Sequence, residues 1–177
     1  MGRRASAIAT IGTIFALASA MTLDALPVAA APDAAPRAAS GASAVPPVSP
    51  TPQSLTRAGR DAVVTGRVIV VAGEDTDAAA RARLVQELKA HGADRVDVVA
   101  PGKLPAAAAG LLTVRLGPAT RPDIEAALGD TAVPDHAEGY ALHVSGARPG
   151  ARITLAGTDA AGQFYAVQTL RQLFVRA

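Results

Sequence analysis

The sequence predicts a small α+β domain, a sheet with helices packed on one face. Three observations point there. Short β-branched runs alternate along the chain with segments whose apolar residues recur at helical spacing. Gly, Pro, Thr and Asp stand where those segments would start and stop. Half of the residues are apolar but only 3% are aromatic, so the core must be built mainly from Val, Leu, Ile and Ala, side chains that each bury a modest area.

The folded part is expected from Thr51-Pro52 onward, over residues 51–177. Val63-Val64 and the run 68–71 (VIVV) read as strands broken by Gly66, the second continuous enough to be buried. Gly73-Glu74-Asp75 reads as a turn. A helix follows to Ala90, capped by Thr76 or Asp77 and stopped by Gly92. Its apolar positions are Ala79, Ala82, Val85 and Leu88 with Leu84 beside them. Arg81, Arg83, Glu87 and Lys89 take the wetter side. Residues 95–99 form a short strand, 101–110 a loop with an Ala run, and 111–116 another strand ended by Gly117-Pro118. Thr120 then reads as the cap of a short helix, with Pro122 in its first turn and Asp123 completing a capping box. Ile124, Ala127 and Leu128 supply its small apolar face. Residues 139–144 and 152–157 read as a hairpin around Pro149-Gly150. Thr158 or Asp159 caps a last helix to about Phe174, with Phe164, Val167, Leu170 and Leu173 at spacing three and Gly162 allowing close contact near its start.

Residues 1–30 have the order of a secretory signal. Arg3 and Arg4 are basic, an uncharged run follows from Ile8 to Leu17, and Val28-Ala29-Ala30 suits cleavage before Ala31. Asp24 interrupts the apolar run short of a spanning length. The expectation is a secreted, extracellular bacterial protein without a stable membrane span after cleavage. The chain has no Cys, so export brings no disulfides. Residues 31–50 are Ala, Pro and Ser with one Asp and one Arg, the composition of a flexible linker. The whole chain has 17 basic and 15 acidic residues, and removing Arg3, Arg4 and Asp24 with the signal leaves a balance of +1. Such a surface lacks the basic stripe with interleaved aromatics that nucleic acid demands.

No catalytic, cofactor-binding or metal-ligating residue is assigned. Gly73 stands alone where a dinucleotide fingerprint would need three spaced glycines, and Glu74 and Asp75 would repel a pyrophosphate. The three histidines, His91, His136 and His143, have no metal-binding spacing, and Asp135, His136 and Glu138 read as a solvated loop. Asp159 reads as a helix cap with a lowered pKa, unsuited to a general acid. Asp94 with Asp97, and Glu74-Asp75 with Asp77, are not adjacent acids in an apolar pocket. Tyr140 and Tyr165 fall inside regular elements and read as core or rim rather than as sugar platforms.

Pro50-Thr51-Pro52-Gln53, then Glu138-Gly139-Tyr140-Ala141-Leu142, then the run ITLAGTDAAGQFYAVQTLRQL over 153–173 resemble the N-terminal non-catalytic domain of bacterial β-N-acetylhexosaminidases. The resemblance is closest to family 84 enzymes, and the same kind of domain precedes the barrel in family 20. It implies a small mixed or antiparallel sheet with helices on one side, followed in the relatives by a (β/α)₈ barrel that carries the active site and the glycan substrate. There an acid pair uses the substrate's own N-acetyl group as nucleophile. None of those barrel residues can be placed on this sequence, so the resemblance implies a domain inactive alone. The alternative is an independent extracellular carbohydrate-binding or structural module. Gln168 and Gln172, one turn apart, are expected to bond to the sheet edge or to a neighbouring domain.

Overall fold

The computed structural model describes residues 6–8, 47–49, 51–56, 61–146 and 150–176, with side chains left aside at 6–8, 175 and 176. The signal assigned to residues 1–30 and the linker at 31–50 otherwise lie outside the described residues.

Three short strands form an antiparallel sheet in which β1 (Ser6–Ile8) lies between β2 (Ala62–Val64) and β8 (Phe174–Arg176). The main sheet has five: β3 (Gly66–Ala72), β4 (Ala93–Val99), β5 (Leu112–Pro118), β6 (Tyr140–Ser145) and β7 (Arg152–Gly157), in the order β4-β3-β5-β7-β6. The first four in that order are parallel and β6 runs antiparallel to β7 at the edge, so the sheet is mixed. Helices α1 (Ala78–Ala90), α2 (Pro122–Leu128) and α3 (Ala160–Leu173) complete the α+β fold, with a 3₁₀ turn at Ala106–Gly110.

The two long helices share one face, here the front. Leu84, Leu88, Val167 and Leu170 pack there on Val70, Val114 and Leu155 of the sheet, all but fully buried. Each strand alternates its side chains across the sheet, so the back face is lined by the intervening residues. Ile69 and Val71 meet Ala108 of the 3₁₀ turn there. Ile124 and Leu128 of α2 meet Ala141 and Ala156. The continuous apolar run of β3 reflects this, since Val68, Ile69, Val70 and Val71 are buried on both faces.

Several local expectations are corrected. The inner face of α1 is Ala80, Leu84 and Leu88 at spacing four, while Ala79 and Ala82 are exposed. In an Ala-rich helix, alanines satisfy either register, and only the leucines decide. Glu87 is buried at 6% exposure rather than wet. Arg121, not Thr120, occupies the cap position of α2 and makes no side-chain cap bond. Asp123 turns to Arg121 instead of completing a capping box. β5 continues through Gly117 and Pro118, paired with Ala156 and Gly157. Contacts with the fold also begin ahead of Thr51: Val48 joins the front core, and Ser49 exchanges two hydrogen bonds with Gln172.

Candidate functional site

β3 and β5 are parallel neighbours whose chains leave the sheet on opposite sides. β3 feeds α1 on the front, and β5 feeds α2 on the back. Such a divergence opens a crevice at the carboxyl ends of the two strands, where α/β sheets place their ligands. Here the chain fills the crevice itself. Arg121, 8% exposed, lays its guanidinium against the backbone of Gly117, where a Cβ would stand 2.5 Å from Nη1. Nη1 donates to Thr76 Oγ1 at 3.1 Å and to Asp75 Oδ1 at 3.2 Å, and Nε donates to Asp123 Oδ1 at 2.6 Å. Thr76 Oγ1 in turn donates to Leu116 O and accepts from Gly73 N, each at 3.0 Å. The buried charge is met by two carboxylates and a hydroxyl, the arrangement a desolvated guanidinium requires. Both carboxylates are thereby committed to holding the strand ends together.

A second joint surrounds Asp159. Its Oδ1 accepts from Gly162 N at 2.7 Å, as a helix cap does. Its Oδ2 accepts from Glu138 N at 2.9 Å, where the backbone takes a positive φ of 64°. These N–H bonds, the one from Gly162 first, hold the carboxyl below its ordinary value of 3.8. Thr158 Oγ1 donates to His136 O and Gly139 O. A Cβ on Gly162 would stand 2.3 Å from Gly139 O, and one on Gly157 2.1 Å from Gln163 N. The glycines, Thr and Asp of the run 157–162 thus fasten the loop before β6 to the start of α3. Gln163 extends the joint by accepting from Asp77 N at 2.9 Å, which ties the starts of α1 and α3.

Glu87 pins the far ends of the same helices. It meets Arg83 at 2.7 Å, Arg171 at 3.5 Å and His91 at 3.6 Å, and the His91 ring stacks on Phe174 with centroids 4.1 Å apart.

The remaining candidates are dispersed. Asp97 lies between Arg95 and Arg67, whose hydrogen bonds lower its pKa, and Asp94 is exposed. Asp135, His136 and Glu138 are exposed in the loop, and no group of three or more His, Asp or Glu among the described residues could hold a metal ion. His143 is half-buried on the back face with Nδ1 3.1 Å from Thr131 Oγ1, and burial lowers its pKa. Tyr140 OH accepts from Thr169 Oγ1 at 2.9 Å, while Tyr165 is 40% exposed and meets Phe164 edge-on. Gln172 bonds to the segment ahead of the domain, and Gln168 is half-buried. Sequence reasoning missed Arg121, Gln163 and Glu87. Gly117 and Gly73, whose missing side chains make room for Arg121, are the local trace of the crevice.

The family model for glycosyl hydrolase family 20, domain 2, matches residues 45–177. No curated protein matches the chain.

Proposed function

Because the chain belongs to the glycosyl hydrolase family 20, domain 2 family, we propose that it is the non-catalytic N-terminal domain of a secreted glycosidase acting on β-linked N-acetylhexosaminides, inactive without a barrel. In full-length proteins this domain is joined to a catalytic barrel. One observation carries the reading: no described hollow brings two carboxylates together, and several carboxylates are spent on structure. Glycoside hydrolysis of the common kind needs two carboxyl groups across one sugar-sized space. Three hollows of about 410, 410 and 440 Å³ hold, respectively, no carboxylate, Glu125 alone and Asp123 alone. Asp75 and Asp123 bind Arg121, Asp77 and Asp159 cap helices, and Asp97 binds two arginines.

The place of action is the cell exterior, through the signal at residues 1–30. Cleavage before Ala31 removes β1 and leaves the five-stranded sheet with all its pairings. Sequencing the N-terminus of the exported protein checks this: it should begin at Ala31, and a product still carrying Met1 would contradict it.

A chimera tests the main proposal. In a family 20 enzyme, domain 2 is replaced by residues 45–177 and hydrolysis of an aryl N-acetyl-glucosaminide is followed. The chimera should regain turnover that the enzyme stripped of domain 2 loses. A chimera no better than the stripped enzyme would overturn the assignment.

A further inference from the structure

The back face of the sheet carries a polar patch outside the Arg121 crevice. The ladder places Arg115 opposite Thr154 across β5 and β7, and Ser145 opposite Arg152 across β6 and β7. Residues paired in a ladder share a face, as do residues two apart on one strand. Four polar side chains from three adjacent strands therefore form one patch. α2 walls it on one side with Asp123, Ala126 and Ala127, and the hollow, open to solvent, measures about 440 Å³, a volume in the range of small-ligand sites.

This hollow brings two arginines together without a carboxylate for either. Arg67, Arg83, Arg95, Arg121 and Arg171 each meet a carboxylate, and Arg81, without one among the described residues, stands alone on α1. Among the described residues, Arg115 and Arg152 have neither an ion-pair nor a hydrogen-bond partner. Asp123 is the one acidic side chain in the lining, and its two oxygens accept from Arg121 Nε at 2.6 Å and Nη2 at 3.4 Å. The lining thus holds two unpaired guanidinium groups and one carboxylate already neutralised. Thr154 is 1% exposed and Arg115 half-buried, so the strands hold this end of the patch in place.

The geometry points to an oxyanion site in this hollow: Arg115 and Arg152 bind a carboxylate or sulfate group, and the hydroxyl of Ser145 takes a hydrogen bond from the sugar that bears it. A guanidinium fork matches such planar or tetrahedral anions in a way a neutral sugar cannot exploit. The ligand class is an acidic saccharide, a uronic acid or sulfated sugar, bound on a face the domain's own helices leave open. The anion site is read from this chain's residues alone, while the sugar that carries the anion rests on the glycosidase reading above.

Calorimetric titration of the purified full chain at low salt tests it, with glucuronate, sodium sulfate, a glucuronate-containing tetrasaccharide and neutral N-acetylglucosamine as probes. Glucuronate and sulfate should bind saturably, and N-acetylglucosamine should not. The tetrasaccharide should bind more tightly than free glucuronate. Arg115→Gln with Arg152→Gln should weaken glucuronate at least tenfold while the melting temperature stays put, and Arg67→Gln should change nothing. If the double variant folds poorly, Arg152→Gln alone, at an exposed position, should still weaken binding several-fold. Equal binding of the neutral sugar, no anion binding at millimolar concentration, or full binding by Arg152→Gln would overturn the site. A tetrasaccharide no tighter than sulfate would overturn the saccharide assignment.

Discussion

The front and back faces of the sheet use the same strands for opposite chemistry. On β7, Ile153 and Leu155 face α1 and α3, while Arg152 and Thr154 between them face away. On β6, Leu142 and Val144 go forward and His143 and Ser145 go back. The front is one continuous core, whereas the back is two small apolar clusters flanking a polar middle. Period-two alternation allows this division because each strand commits half its residues to either face. Stability is therefore concentrated in front, and the back is freer to carry recognition.

Substitutions can break or sharpen that contrast. Leu170→Ala, in the front core with no exposure, should cost about 2–5 kcal/mol, read by denaturant unfolding. Gly157→Ala drives a Cβ into the backbone at Gln163 N and should cost about 1–3 kcal/mol. Asp77→Ala removes the cap bond to Ala80 N and should cost about 1 kcal/mol. Back-face substitution of Arg115 and Arg152 together should stay within about 0.5 kcal/mol. A back-face loss equal to that of Leu170→Ala would erase the distinction.

Acid separates the two faces as well. Burial lowers the pKa of His143 from its ordinary 6.5, so the unfolded chain binds the proton first as pH falls. The stability from neutral His143 is complete above about 6.5 and declines as pH drops through the lowered value. Asp159 is depressed below 3.8, and its contribution is kept above that pH and lost below it. Melting temperatures should therefore show a weak decline below pH 6.5 that His143→Asn abolishes. A further decline below pH 3.8 should be reduced in Asp159→Asn.

What the sequence made legible follows from distance along the chain. The strands from β3 to β7 and the start of α3 at Asp159 rest on neighbouring residues, so local pattern revealed them, and Gly162 in the first turn of α3 marked a close approach whose partner, Gly139, lies 23 residues away. The face of α1 was misjudged because alanine fits either side. Asp123 lies two residues from Arg121, but the role of Arg121 was invisible because Asp75 and Thr76, which place it in the crevice, lie 46 and 45 residues away. The Arg115–Arg152 patch depends on strand order, which no local pattern encodes. Of the two families the resemblance joined, the match falls on family 20.

The central proposal is that Asp75, Asp77, Asp97, Asp123 and Asp159 serve the fold and that the chain by itself hydrolyses no glycoside. The direct measurement is release of the aryl group from an aryl N-acetyl-glucosaminide by the purified chain. The account predicts a rate no higher than that of buffer. Turnover by the chain that disappears in Asp123→Asn or Glu125→Gln would contradict it.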